Sequence, residues 1–271
     1  MFARTAMIFA SAATVSLGAV RSGKAEVDWI TATESYAVGK PVQTAVRLVV
    51  DAGWHTYWQN PGEGGMKISA VWEMPAGWTA GELEHPVPKR FMTGELAGFG
   101  YEGTVVFPVK FIPPAGFTGT AKLSAKISWL TCDDQSCVPG NAALALSLTA
   151  GGPTVTAEAK LIEDALLKIP RQASALRLTV AEFPKFLTLT LGRETPQPFD
   201  PAHYVFFPAT PQVIDPAAKL EFTQAGDKWT AEVPKSEYAT KAILELTLVL
   251  AGKSTQPPLA LTWTAEPAKS H

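Results

Sequence analysis

The chain has 271 residues, 46% hydrophobic and 18% charged, with a formal net charge of -2. Such a length can bury one large core or two ordinary ones. So balanced a charge offers no basic stripe for phosphate backbones, which sets nucleic acid aside as a partner. No nucleophile elbow, Gly-rich phosphate loop or HExxH is present, so hydrolase and nucleotide chemistry have no support in the sequence either.

At the amino terminus Arg4 precedes an apolar run over residues 6–20, AMIFASAATVSLGAV, and a short stretch ending Gly23-Lys24-Ala25. The run is shorter than the roughly 20 apolar residues a membrane span needs, and Arg21 ends it, so residues 1–25 read as a cleaved export signal. The exported protein is expected in a compartment where disulfides form.

From there the dominant pattern has period 2, the mark of strands with one buried face. Strands are expected at residues 27–33, 42–50, 68–74 and 104–112. Over residues 119–129, Ala121, Leu123, Ala125, Ile127 and Trp129 alternate with Lys122, Ser124, Lys126 and Ser128. Residues 142–149 repeat the pattern with Ala142, Leu144, Leu146 and Leu148. Gly- and Pro-rich connections between many short strands point to an antiparallel sandwich over residues 26–150.

Gly151-Gly152-Pro153 breaks the pattern, and residues 154–169 change period. Leu161, Ala165 and Ile169 fall four apart with Ile162 and Leu166 alongside, which predicts a short helix ending before Pro170 within a linker over residues 151–175. Strand patterns return at residues 176–180, 186–191, 204–207, 219–222, 229–233, 243–249 and 259–263. A second sandwich over residues 176–271 is the expectation, giving an all-β protein of two antiparallel sandwich domains joined by a short helical linker.

The only two cysteines, Cys132 and Cys137, stand in WLTCDDQSCVPG between two predicted strands. A bridge across so short a loop contributes about 2 kcal/mol in the chain-entropy model, against nearly 5 for a loop on the order of 100 residues, so stability alone is a weak reason for it. Asp133 and Asp134 disfavour a thiolate on Cys132, because like charges raise a thiol's pKa. Such a pair depends on its partner: oxidised, it is attacked; reduced, it passes electrons within a docked complex. The residues alone leave exchange site and structural staple both open. Metal binding finds little support, since two cysteines supply half a tetrahedral site and His55, His85, His203 and His271 lack ligand-like spacing.

Several stretches in order resemble a known family: GWHTYWQNPG at residues 53–62, then Trp72-Glu73-Met74-Pro75, His85-Pro86-Val87-Pro88-Lys89-Arg90, Phe99-Gly100-Tyr101, and Cys132 to Cys137-Val138-Pro139-Gly140. Together they resemble the periplasmic amino-terminal region of DsbD-like and ScsB-like thiol:disulfide interchange proteins, the disulfide-bond corrector domain, over about residues 27 to 150. The second half resembles ScsB-like proteins more loosely, through Ile169-Pro170-Arg171 and Phe206-Phe207-Pro208.

The resemblance implies immunoglobulin-like sandwiches and a periplasmic electron carrier of the thiol:disulfide oxidoreductase type, with no cofactor. Cys132 and Cys137 are then the exchanging pair. The implied partners are thioredoxin-fold periplasmic proteins and a DsbD/CcdA-like membrane electron relay. The full-length relatives continue into that relay and a thioredoxin-like domain, whereas this sequence ends at His271, which implies a free-standing relative or an electron source on another polypeptide. By the same analogy the glycine-rich residues 94–103, with Phe99 and Tyr101, are a candidate cap over the pair, and His55 and Trp129 candidate supporting residues. The alternative is a non-catalytic β-sandwich binding or assembly protein with a structural disulfide.

Overall fold

The computed structural model describes residues 18–266. The chain first forms β1 (Val20–Ser22), β2 (Ala25–Thr31), β3 (Ser35–Tyr36), β4 (Val42–Val50), β5 (His55–Gly62) and β6 (Ser69–Glu73). It continues through β7 (Thr79–Ala80), β8 (Lys89–Thr93), β9 (Leu96–Glu102), β10 (Thr104–Ile112), β11 (Thr120–Cys132) and β12 (Cys137–Ala150). Helix α1 (Ala159–Leu166) follows, then β13 (Arg171–Gln172), β14 (Leu176–Glu182), β15 (Phe186–Arg193), β16 (Tyr204–Pro208), β17 (Thr223–Ala225), β18 (Lys228–Pro234), β19 (Glu245–Gly252) and β20 (Leu259–Thr264).

Two sheets build the first half. One runs β1-β2-β4-β10-β7; the other runs β3-β12-β11-β5-β9-β8, with β6 also paired to β11. The alternation along β11 is realised as expected: Ala121, Leu123, Ala125, Ile127 and Trp129 are buried, and Lys122 and Lys126 are exposed. Between the sheets lie Leu48, Trp58, Phe99, Phe107, Phe111 and Trp129, each contributing roughly 1.5–3 kcal/mol or more by leaving water.

The second half has two four-stranded sheets, β13-β20-β19-β16 and β14-β15-β18-β17. Leu187, Leu189, Leu191, Trp229, Leu246, Leu248 and Leu250 form its core. Its first sheet is apolar on both faces, because consecutive strand residues point opposite ways. Phe206, Leu248 and Leu261 belong to the second core, while their neighbours Phe207, Val249 and Ala260 join the first. The joint is closed by Asn60, whose Nδ2 donates to the Pro208 carbonyl at 2.7 Å.

Helix α1 is shorter than the predicted residues 154–169. Val155 instead bridges to Thr33, and the Thr156 amide donates to the Ala32 carbonyl. The helical spacing holds where the helix forms, with Ile162 and Ala165 packed on Ile30, Ala45 and Val106 of the first half.

Residues 219–222 are not a strand; the strand comes at Thr223–Ala225, and Leu220 is buried from irregular backbone. Strands β5, β8 and β9 escaped the period-2 reading. In β5 the residues from His55 to Trp58 are all buried, so no polar face interrupts the run. The export-signal expectation falls largely on residues 1–17, outside the described residues, as does His271. Residues 20–25, the end of that segment, pair in a hairpin from Val20↔Val27 to Ser22↔Ala25, and Ala25 is fully buried.

Candidate functional site: a cross-strand disulfide

β11 and β12 form one long antiparallel ladder running from Thr120↔Thr149 to Cys132↔Cys137. The cysteines are its last pair, facing each other with Cα atoms 4.1 Å apart and joined by a disulfide. Beyond them, residues 133–136 make the turn. The Asp133 amide donates to the Ser136 carbonyl at 2.9 Å. The Asp133 carboxylate accepts from the amides of Gln135 and Ser136, at 2.9 and 2.7 Å, and from the Ser136 hydroxyl. These bonds, the Gln135 amide first, hold its carboxyl below the usual range. The turn is therefore closed by local hydrogen bonds as well as by sulfur. Cys132 is fully buried and Cys137 is exposed, so the bond meets solvent on the Cys137 side.

The odd residues of β11 up to Trp129 face the core, which puts Cys132 on the opposite face. Its neighbour across the sheet is His55 of β5. The His55 ring lies 3.9 Å from that of Phe91 and meets Tyr57 edge-on at 5.4 Å. Its Nε2 is 3.1 Å from the Thr93 hydroxyl. Burial lowers the His55 pKa, against the upward pull of Glu102, Asp134 and Asp133, so the ring is neutral at pH 7.

Phe91 reaches His55 across β9, over Gly98 and Gly100. A Cβ built on Gly98 would stand 2.6 Å from the Phe91 ring, and one on Gly100 2.9 Å from it, the latter also colliding with the Thr56 carbonyl. Those two glycines form a trough for the ring.

Phe99 and Tyr101 alternate with these glycines and so face the other way. Phe99 packs on Trp58 and Phe207. Tyr101 donates its hydroxyl to the Pro86 carbonyl at 2.7 Å and meets Phe107 edge-on. The stretch read as a cap, residues 94–103, is the turn and second strand of the β8–β9 hairpin, and these two aromatics belong to its core side. Trp129 is likewise in the core, its indole laid against the backbone of Gly140, where any Cβ would overlap it. Of the sequence-derived candidates, the structure brings together Cys132, Cys137 and His55. Phe91 and Thr93 were missed; the one signal for Phe91 was the Gly-x-Gly spacing at Gly98 and Gly100, which leaves room for a ring from the neighbouring strand.

Fold and site together define an all-β protein that presents a hairpin-tip disulfide, one cysteine buried and the other open. Residues 26–149 match the family model described as thiol:disulfide interchange protein DsbD, N-terminal, and those residues form a DsbD-like N-terminal domain. The structure is similar to the crystal structure of the N-terminal periplasmic domain of ScsB from Proteus mirabilis, at TM-score 0.68 and 19% identity, covering 92% of this chain and 97% of that one. The sporulation control protein Spo0M of Bacillus subtilis aligns at 11% identity over 89% of this chain and 91% of that one, but its TM-score of 0.24 carries no fold argument. No curated protein matches this chain.

Proposed function

We propose that the chain is a periplasmic thiol:disulfide exchange protein whose exchanging pair is Cys132 and Cys137. The observation that carries this reading is an exposed bond in a hairpin that the ladder and the Asp133 turn already hold. The family match over residues 26–149 supports it. On this reading residues 26–150 are the exchange sandwich, residues 151–175 a linker and residues 176–271 a second sandwich, both immunoglobulin-like.

The donor's thiolate attacks Sγ of Cys137, the intramolecular bond breaks, and Cys132 leaves as a thiolate that takes up a proton. The donor's second thiolate then attacks its own sulfur in the mixed disulfide and releases Cys137. Two electrons have moved, the donor is oxidised, and an oxidised acceptor takes them back by the same steps in reverse. The neutral His55 ring brings no positive charge to the departing Cys132 sulfur, and Asp133, Asp134 and Glu102 oppose negative charge there. Exchange is therefore slow in isolation and waits for a docked thioredoxin-fold partner or membrane relay.

The test is a trap. Cys132→Ser, which keeps the exposed thiol, attacks a thioredoxin-fold partner that lacks its resolving cysteine and carries its remaining cysteine as a mixed disulfide with thionitrobenzoate; the protein–protein disulfide forms as thionitrobenzoate leaves, and Cys137→Ser forms far less of it. No capture by either variant, with a reduction potential below about -300 mV, would leave only a structural staple.

A further inference from the structure

Edge strand β8 carries two consecutive residues with opposite destinations. Phe91 crosses Gly98 and Gly100 to reach His55, beside Cys132. Arg90 points to the joint with the second half. Its guanidinium donates to the Pro216 carbonyl at 2.7 Å and the Phe206 carbonyl at 3.3 Å. It also lies over the rings of Phe99 at 4.9 Å and Phe207 at 5.5 Å. Among the described residues β8 pairs only with β9, and the ion pair between Lys89 and Glu102 is exposed and 3.4 Å long. A short edge strand with such ties belongs to the low-energy end of local opening. Glu63 secures the same hairpin at its far strand, where its carboxylate accepts from the Ala97 amide at 2.8 Å. Arg90 is thus the side chain that fastens β8 to the second half.

We propose that Arg90 is a positioning residue through which the second half governs the reactivity of the disulfide: it pins β8 so that Phe91 stays on His55, and loosening it lets water reach the buried Cys132 sulfur, which must leave as a thiolate when a thiol attacks the open Cys137. This gives the second half a part in exchange beyond packing, and it rests on the exchange reading above. One peptide unit separates the two contacts, so β8 cannot lift at Arg90 without withdrawing the Phe91 ring. The groups facing His55 are Phe91 and Thr93 from β8, Tyr57 from its own strand, Glu102 from β9 and Asp133 and Asp134 from the turn.

The experiment follows the oxidised full chain during reduction by dithiothreitol, alongside the titration of His55 by NMR. Arg90→Met removes the bonds to both carbonyls; the disulfide is expected to reduce about tenfold faster, as for a local opening made easier by two lost hydrogen bonds. The His55 pKa should rise toward its ordinary 6.5 as water reaches the ring. Arg90→Lys keeps the cation but not the fork and should fall between. Phe91→Ala should match Arg90→Met in rate, and the double variant should be no faster than either, because both act on one opening. Should Arg90→Met not fold, Phe207→Leu, which removes a ring from beneath the guanidinium, gives the same readings. Wild-type reduction and an unmoved His55 in Arg90→Met, with stability alone lowered, would reduce Arg90 to glue between the halves. A disulfide in the wild type and Phe91→Ala that every thioredoxin-fold reductant leaves intact would overturn the exchange reading instead; the His55 titration still judges the pinning.

Discussion

His85 shows how strongly one residue of this fold depends on its surroundings. It is largely buried against Phe107, with ring centroids 5.2 Å apart, and its Nδ1 has no hydrogen-bond partner. Burial, with Lys67 adding to it, pushes its pKa down to about 4 from 6.5. The folded state therefore binds this proton less readily than the unfolded chain. The stabilisation is complete above pH 6.5 and is lost as pH falls from there toward about 4, by up to roughly 3 kcal/mol. Urea unfolding at a series of pH values should show this loss, and His85→Gln should flatten it. Gly100→Ala is a second test at this scale. Its new methyl meets both the Thr56 carbonyl and the Phe91 ring, and the backbone carbonyl cannot swing aside, so a destabilisation of about 2 kcal/mol or more is expected from chemical unfolding.

In the β11–β12 hairpin the disulfide can be opened without endangering the fold. Its ladder continues from Cys132↔Cys137 back to Thr120↔Thr149, burying Leu123, Ile127, Trp129, Leu144 and Leu148 in the first core. The double variant Cys132→Ser, Cys137→Ser should keep this register and lose no more than about 2 kcal/mol, the chain-entropy value for so short a loop. Amide exchange along the ladder, compared with the oxidised protein, checks the register; denaturant unfolding checks the energy. Widespread loss of protection along β11 would mean the bond does hold the hairpin.

Across the whole molecule, the two halves share apolar surface, since Phe207 packs edge-on against Trp58 and Phe99 from the far side of the joint. Phe207→Ala should cost about 3 kcal/mol and weaken the coupling of the halves. Calorimetry is expected to resolve two transitions where the wild type gives one.

Local chemistry made much of this protein legible in its sequence. The alternation at residues 119–129 announced a strand because it has one wet and one dry face, and that strand forms; the strands expected at residues 42–50 and 104–112 form as well, with Ala45 and Val106 on their other face covered by α1. The cysteine pair stood out because nothing else in the chain carries comparable chemistry. Tertiary structure alone decided which face each residue of a strand serves when both faces are covered. Phe99 and Tyr101 look like any exposed aromatic pair until β5 and β10 supply a core on their side and Phe91 fills the glycine trough on the other. The asymmetry between a buried Cys132 and an open Cys137, the burial that neutralises His55, and the tie from Arg90 to the second half also arise only when distant strands meet. Burial is a property of neighbours, and the neighbours that set it here are far apart in the chain.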